Sequence, residues 1–120
     1  MCCYIINGGK KLEGETYVSG SKNASLPILA GCILNGKTSK LYNVPDIEDV
    51  RTTLKILEYL GCKVKRDKNK ITINSESLNK NTIPDELMRK LRSSVIISGA
   101  LLSRCKEVMF SYPRWLWNRK

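Results

Sequence analysis

Asn43-Val44-Pro45-Asp46-Ile47-Glu48-Asp49-Val50-Arg51-Thr52-Thr53-Leu54-Lys55-Ile56-Leu57-Glu58-Tyr59-Leu60-Gly61 is the stretch on which the fold turns. Asn43 to Asp46 reads as a turn that doubles as an N-cap. Ile47, Val50, Leu54, Leu57 and Leu60 then recur at helical spacing, and Gly61 is the stop. Beyond the stop, Cys62 to Arg66 and Lys70 to Asn74 alternate with period two on either side of a polar turn, which predicts a hairpin. A helix feeding a hairpin fixes the architecture as helices packed on a sheet.

The same reading extends in both directions. Upstream, Tyr4 to Asn7 and Leu12 to Val18 read as short strands, the first broken by Gly8-Gly9. Gly20-Ser21 opens a helix from about Lys22 to Leu34, closed by Asn35-Gly36, with Pro27 making its start irregular. Thr38 to Tyr42 is a strand. Downstream, Pro84-Asp85-Glu86 is a helix start, with proline in the first turn and carboxylates near the positive end of the dipole. That helix carries Leu87, Leu91, Val95 and Leu102 inward and extends towards Arg104, with Gly99 as its weak point. Glu107 to Ser111 is a last strand. The alternation of strands and helices predicts an α/β protein.

Composition narrows the function classes. At 120 residues the chain is one domain at most, small for an enzyme with two sizeable substrates. No apolar run approaches the roughly 18 residues of a membrane span. The start, Met1-Cys2-Cys3-Tyr4-Ile5-Ile6, lacks the basic and apolar regions of a signal peptide, so the expectation is a cytoplasmic protein. Five cysteines at 2, 3, 32, 62 and 105 form no C-x-x-C pair, and there is no histidine, which leaves neither zinc-ligand spacing nor a Cys-His catalytic pair. Cys32 and Cys62 sit among apolar residues and read as core.

The net charge of +10 raises nucleic acid as a partner. Its distribution argues against a dedicated arm, because basic residues are spread from Lys10 to Lys120. The one local cluster, Lys63 to Lys70, falls on the hairpin and reads as its solvated face. Aromatic content of 7% leaves few stacking platforms for single strands. A pocket for small anions would use the same positive field.

Gly20-Ser21-Lys22-Asn23-Ala24 is where chemistry enters. A serine cap and a lysine at a helix N-terminus place backbone N–H groups and an ammonium at one point, which suits a phosphate or carboxylate. Asn23 adds an amide that both donates and accepts. The plain alternative is a capped helix with Lys22 and Asn23 pointing into water.

A family resemblance bears on that choice. Ile6 to Gly14, Gly20 to Ala30 and Leu41 to Asp46 resemble successive segments of the UDP-N-acetylglucosamine enolpyruvyl transferases. So do Asp49-Val50-Arg51-Thr52, Leu60 to Val64 and Leu91-Arg92-Ser93-Ser94. The match runs from about Tyr4 to Pro113. It implies part of an inside-out α/β barrel of the enolpyruvyl transferase type, incomplete here. Residues 1–19 would be strands of the second domain, 20–113 part of the first barrel domain, and 114–120 a tail outside the family pattern. The resemblance implies phosphoenolpyruvate and UDP-N-acetylglucosamine as small-molecule substrates in peptidoglycan precursor synthesis. It assigns Lys22 to phosphoenolpyruvate, Asn23 to the reacting centre and Arg92 to the UDP-sugar, where an arginine fork grips phosphate oxygens. No metal or organic cofactor, nucleic acid or membrane is implied. The sister transferase acting on shikimate phosphate is the alternative, and the Gly20-Ser21-Lys22-Asn23 form favours the amino-sugar branch. A small basic nucleic-acid-binding protein is the alternative from another class.

After Ser111-Tyr112-Pro113 the family continues Gly-Gly-Cys, and that cysteine is the general acid. Here its position holds Leu116, so no catalytic residue of that kind is present and the chain is expected to be inactive by itself. The genetic code accounts for the tail. Arg114 to Lys120 can be written AGG TGG CTG TGG AAT AGG AAA. Without the leading A the reading is GGT GGC TGT GGA ATA GGA, which encodes Gly-Gly-Cys-Gly-Ile-Gly, the family loop. One inserted nucleotide near the Pro113 codon is the expectation. Sequencing the gene from fresh template across codons 110 to 120 should show the extra base, with the other frame open beyond it. A frame that closes with no continuation would overturn the shift.

Overall fold

The structure is a computed structural model and describes residues 2–90 and 94–109. Its elements are α1 (Lys22–Gly31), β1 (Thr38–Leu41), α2 (Glu48–Tyr59), β2 (Lys63–Asp67), β3 (Lys70–Asn74), α3 (Asp85–Lys90) and α4 (Ser94–Cys105).

α2 follows its sequence pattern. Val50, Leu54, Ile56 and Leu57 are buried along one stripe, and Glu48 and Asp49 stand in the first turn, where the helix dipole favours carboxylates. The N-cap is Ile47, with no side-chain cap bond. The cap expected from Asp46 is absent because its carboxylate accepts from Arg51 Nε at 2.7 Å instead. Gly61 ends the helix at φ +106°, where a Cβ would lie 2.7 Å from Asn79 Oδ1 and from the Ser77 carbonyl. Only glycine tolerates both the conformation and the space.

The chain then reverses through Lys68-Asn69, and β3 becomes the central strand of an antiparallel sheet of order β1-β3-β2. In register, Ser39, Ile73 and Val64 form one row, and Leu41, Ile71 and Arg66 the next. Ile71 and Ile73 are fully buried on this face. Lys40, Lys63 and Lys65 stand on the opposite, exposed face, so the basic cluster is a solvated sheet surface, as its alternation implied.

α1 is shorter than expected. Beyond Gly31 the N–H groups of Ile33 and Leu34 bond back three residues, so the end tightens before Gly36 turns the chain at φ +62°. Pro27 does not break the helix. It removes only the bond that would return to Asn23, and both residues are exposed to water. At the far end Arg104 of α4 donates to the Ile33 carbonyl at 2.9 Å, a cation at a helix C-terminus. The buried stripe of α4 is Ile97, Ala100 and Leu101, facing α1. Val95 and Leu102, expected inward, are exposed, because contact with α1 rather than the phase from Leu87 orients this helix. Leu91 lies outside the described residues.

Two further expectations fail. Residues 4–7 and 12–18 form no strands; the whole segment from Cys2 to Ser19 is exposed and outside regular structure. A strand gains little until a second backbone meets its N–H and C=O groups, and all three described strands belong to the β1-β3-β2 sheet. Tyr4, Ile5, Ile6, Leu12, Tyr17 and Val18 are consequently at least 81% exposed. The last strand is reduced to a parallel bridge between Thr82 and Met109, with Ser111 outside the described residues.

The core is one cluster between sheet and helices, centred on Leu29, Ile33, Ile56, Leu57, Ile71, Ile73 and Leu101. Cys32 and Cys62 belong to it, and burial pushes both thiols up from their ordinary range. Ile73→Ala should cost about 2–5 kcal/mol, whereas Ile6→Ala should cost close to nothing. Denaturant unfolding of both variants, read by circular dichroism, checks this.

Candidate anion site at two helix N-termini

Ser21 starts α1 as a capping residue. Its backbone is extended, its Oγ accepts from the Ala24 N–H at 3.3 Å, and its carbonyl accepts from Ser25 N at 3.0 Å. Lys22 is therefore the first helical residue. Gly20, just before the cap, lies against the turn that precedes α2. An ideal Cβ on Gly20 would come 1.9 Å from the Asn43 carbonyl oxygen and 3.0 Å from Pro45 Cδ. Asn43 has φ +56°, the left-handed conformation asparagine tolerates best after glycine.

That close approach brings the start of α2 beside the start of α1. Lys22 Nζ and the Asp49 carboxylate form an ion pair between the two first turns. A cleft of about 340 Å³ opens here, lined by Gly20, Lys22, Asn43, Pro45, Asp46 and Asn69 among others. A smaller one of about 240 Å³ lies across Asn43 and Val44, bounded by Ser25, Ile28 and Tyr42.

The charges around the cleft are largely matched. Arg51 Nε donates to Asp46 Oδ1 at 2.7 Å, and the guanidinium holds that carboxyl below the usual carboxylate range. Arg66 reaches the same oxygen at 3.9 Å, donates from Nη2 to the Val44 carbonyl at 3.2 Å, and leaves Nη1 buried without a partner among the described residues. The arrangement gathers two helix N-termini and one ammonium at the cleft, with the guanidinium groups of Arg51 and Arg66 paired to Asp46 beside it, a set of groups chemically suited to an anion.

Of the residues singled out in the sequence, Lys22 lines the cleft. Asn23 is exposed and does not line it, and Arg92 and Leu116 lie outside the described residues. Gly20, part of the same motif, lines the cleft as well, whereas Asp49 and Arg66 were not singled out as site residues. The sequence signal for Asp49 is its place in the first turn of the helix expected after Asp46.

The family model of EPSP synthase (3-phosphoshikimate 1-carboxyvinyltransferase) matches residues 6–112. UDP-N-acetylglucosamine 1-carboxyvinyltransferase 2 of Caldanaerobacter subterraneus subsp. tengcongensis is 45% identical over 110 residues, 92% of this chain and 26% of that protein. The UDP-N-acetylglucosamine 1-carboxyvinyltransferase of Desulfatibacillum aliphaticivorans is 42% identical over 109 residues, 91% of this chain and 26% of that protein. The chain thus spans about a quarter of the length of the curated relatives it matches. Among solved structures, the enolpyruvyl transferase NikO from Streptomyces tendae superposes with a TM-score of 0.70 at 23% identity, covering 81% of this chain and 23% of that one. That likeness shows the fold.

Gly20→Ala should destabilise the chain by about 1–3 kcal/mol by forcing the Asn43 turn away. Gly31→Ala, where a Cβ meets nothing within 4 Å, should leave stability unchanged or raise it by about 0.5–1 kcal/mol. Paired thermal melts of the two variants read the difference.

Proposed function

The chain belongs to the EPSP synthase family of enolpyruvyl (carboxyvinyl) transferases, and from that premise we propose what it does. It is part of the enzyme that transfers enolpyruvyl from phosphoenolpyruvate to UDP-N-acetylglucosamine, and it is inactive by itself. The observation that carries the substrate is that relatives bearing that name are 41–45% identical over about nine-tenths of the chain. They favour the amino sugar over shikimate phosphate as acceptor. The reading places the chain in peptidoglycan precursor synthesis, and so in cell-wall biogenesis, cell shape and division, in the cytoplasm. No helix among the described residues is long and apolar enough to cross a membrane.

In the reaction the sugar hydroxyl adds to C2 of phosphoenolpyruvate while its methylene carbon takes a proton. The tetrahedral adduct then expels inorganic phosphate and loses a proton to give the enol ether. Charge is concentrated on the carboxylate and phosphate, and the role proposed for Lys22 is to bind that charge. Its place at a helix N-terminus supports this, because ammonium and helix dipole act on one anion in the same direction. The roles proposed for Asn23 and Arg92 are the reacting centre and the UDP-sugar. Leu116 at the family's cysteine position leaves no general acid there.

The proposed domain division keeps residues 1–19 with a second domain, 20–113 with the first, and 114–120 outside both. The six exposed apolar side chains of the N-terminal segment support it, since they have a packing partner only if another domain supplies one.

Incubated with phosphoenolpyruvate and UDP-N-acetylglucosamine, the purified chain should release no phosphate. A protein with the reading frame restored at Pro113 should release it, and Lys22→Ala in that protein should lower turnover about a hundredfold or more. Turnover by the purified chain alone, or a restored protein that accepts only shikimate 3-phosphate, would refute the reading.

A further inference from the structure

α1 begins with a cation where a helix favours an anion. Its first turn holds no acidic residue, and Lys22 stands at the positive end of the dipole. The compensation comes from another helix, through the ion pair with Asp49. The two partners are unequally held. The Asp49 side chain is 28% exposed, against 52% for Lys22. Asp49 also sits in the first turn of its own helix, where a carboxylate is favoured, and its carbonyl accepts from Thr53 Oγ1 at 2.8 Å. Thr53 is in turn buried. The Asp49 backbone is thus held within α2 and its carboxylate is the less exposed partner, whereas Lys22 is the more exposed side of the pair.

We propose that Asp49 is the positioning residue for Lys22, fixing its ammonium at the mouth of the cleft so that an anionic substrate meets it already oriented. This rests on the reading of Lys22 as a phosphoenolpyruvate ligand. Two effects of opposite sign decide the test. As a bare charge, Asp49 repels an incoming anion, so removing it would tighten binding. As an anchor, it takes up in advance the side-chain freedom that a lysine otherwise loses on binding, which corresponds to about a tenfold factor in affinity. The cleft is open to water, which screens the repulsion and leaves the anchoring effect the larger.

Phosphoenolpyruvate is titrated calorimetrically into the 120-residue chain and into its Lys22→Ala, Asp49→Asn, Asp49→Glu and Lys22→Ala/Asp49→Asn variants. Asp49→Asn should weaken binding about tenfold, Asp49→Glu should recover part of the loss, and the double variant should bind no worse than Lys22→Ala. Unchanged or tighter binding by Asp49→Asn, or losses that add in the double variant, would overturn the positioning role and leave the site standing. Binding that does not depend on Lys22, or none by the unaltered chain, would overturn both. Acylation of the unaltered chain, followed by peptide mass spectrometry, needs no variant to fold: Lys22 should react several-fold more slowly than Lys10, and an equal rate contradicts the anchoring.

Discussion

The backbone contact between Gly20 and Asn43 is the constraint on which the geometry of the site depends. With no Cβ on Gly20, the chain entering α1 can lie against the carbonyl of the turn that enters α2. The turn is held from its other side as well. Val44 N donates to the Asn69 carbonyl at 3.0 Å, and Arg66 bonds the Val44 carbonyl, so the hairpin grips the same residues. Two helix starts and one hairpin end therefore share a few residues of backbone. The Lys22–Asp49 pair is a consequence of that convergence, since each residue is the side chain its own helix presents at the shared point.

What was legible in the sequence is what local chemistry decides. The α2 stripe, the stop at Gly61 and the hairpin all follow from spacing and turn residues. The strands expected in residues 4–7 and 12–18 had the right local pattern, but β-structure is a property of a pair, and no second strand meets them here. The missing Asp46 cap is a smaller case of the same kind: the carboxylate had two partners available and took the guanidinium of Arg51. Within the site, the Ser21 cap and Lys22 were readable because they act within one turn. The closeness of Gly20 to Asn43 and of Lys22 to Asp49 was not, because each joins residues brought together only by the packing of α1 on α2.

Charge shows why totals mislead. The +10 balance resides mainly on exposed surfaces, including the lysines of the outer sheet face. Around the cleft Lys22 is matched by Asp49, and Arg51 and Arg66 share Asp46. The place chosen as an anion site from its motif is therefore among the better balanced parts of the molecule. Groups arranged in this way act on an anion by orientation and by helix N-termini rather than by bulk field.

Balance and exposure together limit what a cleft of this kind does to a bound anion. The strength of an ammonium acting on a developing anion depends on how much water remains between and around them. Lys22 is half exposed, in a cleft open to solvent, so its field is screened by water. Closing such a cleft requires a second surface. The apolar side chains of Ile28 on α1 and Leu34 just beyond it, and those between Tyr4 and Val18 ahead of it, are where this chain offers surface for another body to cover. The relatives are about four times as long as this segment, so in them further chain is available to supply such a surface. Substrate contacts can be built on one wall, but the low-dielectric surroundings that make them catalytic need both.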